Sequence, residues 1–593
     1  MHRRMRSTLR LLTIATTVLA GVSVPAATSE PAGIASGTSP GAKDVIVHLF
    51  QWPWASVASE CTNVLGPKGF GAVQVSPPQE HVVLPGSGYP WWQDYQPVSY
   101  QLVSRRGNRA AFANMVNTCH AAGVKIFVDA IVNHMAGGAS AGPGSGGSSY
   151  TQYGYPAVPY GFDDFHHCGR NGNDDIRNWT DRFEVQNCEL VDLSDLKTES
   201  SYVRGKLTAY LQDLAGLGVD GIRVDAAKHV PVADLQAIYG PMASPRYVFQ
   251  EVIEGGPGEI APGEYTGIGD VTEFRYGDVV GNAFRDGNLS NLNNLAGSMA
   301  LGSPDAVAFI DNHDTQRNGR ARLTYKDGNN YALAEAFMLA WPYGVPQVMS
   351  SFTFNGGDQG PPAAGNGTTS PVNCASGWVC EHRWRTTANL VGLRNNSSGA
   401  GVTNWWSNGS SQIGFGRAGK AYLAFNRDGG TLSRTFQTDL PAGTYCDVAN
   451  GDFSAGTCTG AAYTVDSGGR FVASVPSGRM LALHVGARTS GGGGGCTTVA
   501  VGFNVEAFTI FGENVFVAGN RPELGNWDPA NSLPLSAATY PIWRGTVNLP
   551  ANVTFEYKYI KRMGSQVIWE SGANRVRSTG SACSVSFDEV WRN

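Results

Sequence analysis

Beyond residue 29 no apolar run is unbroken for the length a bilayer-spanning helix needs. Cys-x-x-Cys and His-Glu-x-x-His are also absent, which removes the commonest spacings of thiol redox and zinc chemistry. Charged residues are only 15% of the chain, and basic runs are missing. The formal net charge is −5, and it becomes −9 once the first 29 residues, with four arginines and no other charge, are set aside. That balance argues against nucleic acid and against anionic membrane surfaces as partners. Gly414 to Lys420 has P-loop spacing but runs into Ala421 and the strand-like AYLAF, so no phosphate site is expected there.

What is present is a long, aromatic-rich globular chain. Its 593 residues include 14 Trp, 22 Tyr and 25 Phe, enough for several domains with substantial cores. Residues 1–29 read as a secretory signal: Met1 to Arg10 is basic, Leu11 to Val24 apolar, and Pro25-Ala26-Ala27 small. An extracellular protein is therefore expected. The ten cysteines of an exported chain favour disulfides over metal ligation. Residues 30–42, small and Gly/Ser/Pro-rich, are expected to be flexible.

From 43 to 400 short apolar runs alternate with helical patterns. Eight strands are expected: Val45–Phe50, Ala72–Ser76, Lys125–Ile131, Val219–Asp225, Tyr247–Val252, Val271–Phe274, Ala306–Asp311 and Gly344–Met349. Between them lie amphipathic segments such as 201–217, with Val203, Leu207, Tyr210, Leu211, Leu214 and Leu217 at helical spacing. The fold class is α/β, a (β/α)8 barrel. Residues 135–199 are out of proportion to the other connections and are expected to form an inserted lobe after strand three, which Cys168 and Cys188 could staple. Residues 401–487 turn to short alternating strands, an all-β domain in which Cys446 and Cys458 could close a local loop. Residues 488–495 are a glycine-rich linker, and 496–593 a second β module bounded by Cys496 and Cys583.

Functional residues of such barrels sit at the C-terminal ends of strands. Reading only those ends gives Asp129, Asn133 and His134 after strand three, Asp225 and His229 after strand four, Glu251 after strand five, and Asp311, His313 and Asp314 after strand seven. Arg223 and Asp225 share one face of their strand. Alone they read equally well as a structural ion pair. With Glu251 beside the apolar run Tyr247-Val248-Phe249 and Asp225 beside a guanidinium, two carboxyls are expected in opposite protonation states, the pattern of glycoside cleavage.

DAIVNH (129–134), GIRVDAAKH (221–229), QEVIE (250–254) and FIDNHD (309–314) resemble, in order, the four signature segments of the α-amylase family of glycoside hydrolases. GPKGFGAVQVSPPQEH (66–81), WWQDYQPVSY (91–100) and WVCEHRW (378–384) extend the likeness over residues 43–487. The resemblance implies Asp225 as nucleophile, Glu251 as acid/base and Asp314 as the acid that holds the distorted sugar. It implies Arg223 as the group orienting the nucleophile, and His134, His229 and His313 as ligands of sugar hydroxyls, with Asp129 and Lys228 also in the substrate site. Trp91, Trp92 and Tyr95 look like a stacking platform for glucose rings, the alternative being a buried aromatic cluster. The implied retaining mechanism needs the two carboxyls about 5–5.5 Å apart. A calcium ion between barrel and lobe is implied, held by Asn133, Asp192, the His229 carbonyl and Gln186. Chloride is not expected: chloride-activated members carry a basic residue where Gln347 stands. The implied disulfides are Cys61–Cys119, Cys168–Cys188, Cys374–Cys380 and Cys446–Cys458, with Cys496–Cys583 in the last module. The loop RNGRARLTYKDG (317–328) is shorter and more charged than the mobile loop of the animal enzymes, so lid behaviour is not carried over.

The last module resembles the family 20 starch-binding domains through FGENVFVAGNRPELGNWDP (511–529), FEYKYIKR (555–562) and VIWESGANRV (567–576). The resemblance implies Trp527 and Trp569 stacked on glucan, Lys558, Glu570 and Asn574 as polar contacts, and Phe511 and Tyr540 at a second site. The expected activity is endo-hydrolysis of α-1,4-glucosidic bonds in starch and malto-oligosaccharides by a monomer. The rivals are a cyclodextrin-type glucanotransferase and a non-catalytic starch-binding protein.

Overall fold

The computed structural model describes residues 41–593 except 138–141, 243–245, 490–497, 511, 552 and 581–583. The signal segment, most of 30–42, most of the linker, Phe511 and the Cys496–Cys583 pair lie outside the described residues. Eight parallel strands close a barrel: β1 Ile46–Leu49, β2 Ala72–Val75, β3 Lys125–Ile131, β4 Gly221–Asp225, β5 Tyr247–Gln250, β6 Asp270–Glu273, β7 Ala306–Ala308 and β8 Val345–Ser350. Each pairs with its sequence neighbours, and β8 closes on β1. The helix expected at 201–217 is Ser201–Gly216, burying Val203, Leu207, Tyr210, Leu211 and Leu214. Helix Arg109–Ala121 is capped by the Asn108 side chain, which accepts from the Ala111 N–H, and Cys119 on its buried face is bonded to Cys61.

The barrel interior is layered, and the layering positions the site. Ile46, Ala72, Phe127, Tyr247, Phe249 and Val307, with Val345 against them, form an apolar layer. Side chains alternate along a strand, so the inward residue two positions on stands one layer nearer the C-terminal rim. Those residues are polar: His48 after Ile46, Gln74 after Ala72, Asp129 after Phe127, Glu251 after Phe249 and Gln347 after Val345, all buried. Arg223 joins them after Gly221, which pairs with Phe127 and leaves its ring room: a Cβ there would stand 2.7 Å from the ring. β5 and β7 are shorter than expected, ending at Gln250 and Ala308, so Glu251 and Asp311 to Asp314 stand just past the ladder.

Between β3 and β4 the chain forms the lobe, whose strands His134–Gly137 and Leu193–Asp195 pair antiparallel. Beyond the barrel, Val402–Ser407, Gln412–Arg417, Ala421–Asn426 and Arg479–His484 make an antiparallel sheet. The last module packs a four-stranded sheet and a five-stranded sheet around Phe503, Val517, Trp543, Phe555 and Tyr557. The four other expected disulfides are formed, and no described cysteine is free. Among the described residues no helix is long and apolar enough to cross a membrane.

Candidate active site

Arg223 is the hub of the polar layer. Its Nη1 meets Asp225 Oδ1 at 2.9 Å and Asp129 Oδ1 at 2.5 Å, and its Nη2 meets Glu251 Oε1 at 2.9 Å. Asp129 also accepts from the Tyr95 hydroxyl at 2.8 Å. Ala226 follows Asp225 in the left-handed region (φ 49°), a conformation costly for a residue with a Cβ; it turns the chain so that its N–H donates to Glu251 Oε2 at 3.0 Å.

One cation thus serves three buried acids, and this corrects the expectation that Arg223 alone keeps Asp225 ionised. Burial raises the Asp225 carboxyl above the usual range despite the guanidinium, and burial followed by repulsion from Asp225 raises Glu251. Burial pushes Asp129 up to about 7. Asp314, 31% exposed to the cleft, is pushed up to about 8 by burial and then by Glu251. Burial is the largest cause of the raised Glu251 carboxyl, as expected for an acid that follows an apolar run: Phe249 lies in the apolar layer just below, while Glu251 itself faces Arg223.

The histidines are buried and held neutral. Burial lowers His134 and His229 to about 4. His229 Nδ1 faces the Val185 carbonyl at 3.0 Å. His134 faces the Tyr95 carbonyl through Nε2 at 2.9 Å and the Asn133 amide through Nδ1 at 3.3 Å. Both its nitrogens therefore have protein partners, which argues against the expected hydroxyl contact there. His313 stacks on Tyr95 at 5.2 Å, with Nε2 3.3 Å from Asp314 and Nδ1 buried without a partner.

Trp91 and Trp92 are half-buried at the rim, their indole N–H groups donating to the Gly357 carbonyl at 2.8 Å and to Asp358 at 3.1 Å. Tyr95, 8% exposed, belongs to the floor and not to an open platform. Trp179, Ala226, Lys228, His229, Glu251 and Glu259 line a cleft of about 390 Å³. Lys228 Nζ is tied to Glu259 at 2.8 Å and lies 5.7 Å over the Trp179 ring. Trp179, 41% exposed, was missed in the sequence, although an aromatic in the Asn/Asp-rich text RNWTD carries the same signal as WWQDY.

The acid expected at a calcium site needs correction. Asp192 is exposed in a left-handed turn (φ 64°), its N–H donating to Asp175 at 2.8 Å. Asp195, three residues on, pairs with His134 across the two lobe strands, is 2% exposed, and is hydrogen-bonded by Asn133. Burial pushes Asp195 up to about 7, with His166 2.7 Å away. Among the described residues no three His, Cys, Asp or Glu side chains converge as a metal site. A buried carboxylate beside the Asn133 amide nevertheless supplies oxygen donors that fit a hard cation, which would offset the cost of burying that charge.

In the last module the Trp527 and Trp569 rings stand 6.2 Å apart, inclined at 44°. Trp569 is 39% exposed. Glu570 is corrected: it is 1% exposed and bound by Arg575 at 2.7 Å and Arg592 at 3.0 Å, so its side chain supports the turn and cannot reach a glucan. Lys558 Nζ donates to the Glu570 and Gly572 carbonyls at 3.1 and 2.6 Å, bracing the same turn. Asn574 is exposed, its amide on Glu556 at 2.9 Å. Tyr540 is 51% exposed beside Phe508, itself 68% exposed and not singled out in the sequence.

A parallel barrel with buried acids at neighbouring strand ends and a β module presenting paired tryptophans defines a carbohydrate-active hydrolase. Residues 72–239 match the alpha amylase catalytic domain, 405–486 the alpha amylase C-terminal all-beta domain and 498–588 the starch binding domain. The chain is 50% identical to an alpha-amylase of Thermomonospora curvata, covering 93% of this chain and 94% of that one. It is 46% identical to an alpha-amylase of Streptomyces violaceus, covering 97% and 98%. The crystal structure of alpha-amylase I from Eisenia fetida superposes with a TM-score of 0.72 at 40% identity, over 75% of this chain and 97% of that one. A gamma-CGTase of Bacillus clarkii, TM-score 0.56 over 95% of this chain and 100% of that one, is only 20% identical and shares the fold alone. The chain belongs to the α-amylase family: it is a starch-hydrolysing enzyme with a starch-binding domain.

Proposed function

We propose that the chain cleaves internal α-1,4-glucosidic bonds by a retaining double displacement. The supporting observation is the Arg223 guanidinium shared by Asp225 and Glu251. Asp225 attacks the anomeric carbon while Glu251 protonates the leaving oxygen; Glu251 then takes a proton from the water that releases the sugar. A raised Glu251 suits the first step, and the guanidinium favours the anionic Asp225 that the attack requires. Asp314, carrying its own proton near neutral pH, is placed to donate to a sugar hydroxyl. Trp91 and Trp92 would stack glucose units on one side of the scissile bond, and Trp179 with Lys228 on the leaving-group side.

Calcium would be held by the Asn133 and Asp195 side chains and by the Gln186 and His229 carbonyls, and it would supply a positive charge tying the lobe to the segment after β4. We read the protein as extracellular and monomeric, with activity independent of chloride. Starch and malto-oligosaccharides are its ligands, the module binding granules through Trp527 and Trp569.

Product analysis on soluble starch tests this reading. Linear products of α configuration are expected, and Asp225→Asn should abolish them with the fold intact. Cyclic glucans, or β-configured sugars, would sink it.

A further inference from the structure

Two amides of the polar layer have no place in the reaction just described. Gln74 on β2 and Gln347 on β8 are 1% and 5% exposed. Gln347 Nε2 donates to Gln74 Oε1 at 2.6 Å. An amide carries its acceptor and its donors on opposite sides, so a donor fixed at Oε1 turns the Gln74 NH2 the other way. There it reaches Asp129 Oδ2 at 3.3 Å and His48 Nε2 at 3.4 Å. Asp129 holds Arg223, and Arg223 holds Asp225 and Glu251. The contacts are continuous from β8 to both acids.

We propose that Gln74, oriented by Gln347, is a positioning residue for hydrolysis: its N–H holds Asp129 as the anionic counterpart of Arg223 and so fixes the guanidinium between Asp225 and Glu251. The inference rests on the roles given above to those two acids. Asp129 is fully buried, and a donor on its carboxylate favours the charged form. Without that donor Asp129, already pushed up to about 7 by burial, keeps its proton to higher pH. The Arg223 charge, no longer balanced, then bears more strongly on Glu251 and Asp225. Glu251 loses its proton at lower pH, and the alkaline limb of the rate profile moves down. The other titratable groups facing these acids are Asp314 beside Glu251, and Tyr95 and Tyr210 beside Asp129, both tyrosines kept neutral by burial. His48 and His313, held neutral by burial, add no charge near neutral pH.

The test measures kcat and KM against pH on a soluble malto-oligosaccharide for wild type, Gln74→Met, Gln347→Met and the double variant. Methionine keeps the volume and removes the amide. Gln74→Met should lose about tenfold in kcat with KM changed less than about twofold, as expected for a group acting on the transition state. Its alkaline limb should fall by roughly half a pH unit. Gln347→Met should shift the limb the same way by less, and should add nothing in the Gln74→Met background, because it acts only through Gln74. An alkaline limb that coincides with wild type in Gln74→Met overturns the proposal, as does additivity in the double variant. If Gln74→Met fails to fold, an unshifted limb in Gln347→Met overturns it equally. Glu251→Gln, run alongside, tests the underlying reading separately: if it stays active, the acid assignment has failed and not the relay.

Discussion

Glu251 and Arg223 meet at 2.9 Å through a different guanidinium nitrogen from the one that meets Asp225. One guanidinium thus contacts both acids through separate nitrogens, a task for which lysine, with a single point of charge, is no substitute. Arg223→Lys should therefore lower kcat by about 100-fold, the scale of a displacement of about 1 Å at reacting groups, with KM changed much less. Steady-state kinetics on maltoheptaose, with near-ultraviolet circular dichroism to confirm packing, checks this. A variant within about threefold of wild type would show that the fork is structural.

Asp314 is expected to make stability depend on pH. Its carboxyl is pushed up to about 8 in the folded protein, against 3.8 as its ordinary value. Between those values the folded state binds more protons than the unfolded one, so this group's contribution to stability falls as pH rises and levels off above about 8. Asp314→Asn removes the titration. The melting temperature of the variant relative to wild type should rise from pH 5 to pH 8, while activity is lost. A constant difference across that range would exclude the mechanism.

Much of this site was legible because its acids follow short apolar runs. A run such as Tyr247-Val248-Phe249 ends its strand at the barrel rim, and the next acid then faces the cleft. The alternation that puts Phe127 below Asp129 is likewise readable from the sequence. What was not legible depends on which way a side chain turns in a loop. LVDLSD offers two acids, and only pairing with His134 selects Asp195 over Asp192. Glu570 sits beside an exposed tryptophan, but Arg575 and Arg592, 5 and 22 residues on, draw it inward. Tyr95 reads as a loop aromatic, yet its hydroxyl donates to Asp129 on β3.

Asp195 and Asp192 can be told apart by thermal unfolding. Calcium that binds only the folded state raises the melting temperature, and a chelator reverses the effect. Wild type and Asp192→Asn should melt several degrees lower in chelator than in millimolar calcium. Asp195→Asn should melt at the same temperature in both. If instead Asp192→Asn becomes insensitive while Asp195→Asn still responds, the ion is held by the exposed turn.

Trp527 and Trp569 stand 6.2 Å apart, inclined at 44°, too close to admit a sugar between them but adjacent enough for one glucan to lie across both rings, and the Glu570 ion pairs hold the turn that carries Trp569. Loss of one ring should remove about 1.4 kcal/mol of stacking, or roughly tenfold in affinity. Trp569→Ala is thus expected to need about ten times the starch concentration of wild type for the same bound fraction on granules, leaving hydrolysis of soluble starch unchanged. Arg575→Ala supplies the second arm. It leaves both rings in place but frees the buried Glu570, so granule binding should weaken together with the melting temperature, whereas Trp569→Ala should weaken binding alone. Granule adsorption isotherms and calorimetry separate the two effects; equal loss of stability in both variants would mean that Trp569 serves the fold of the module and not the polysaccharide.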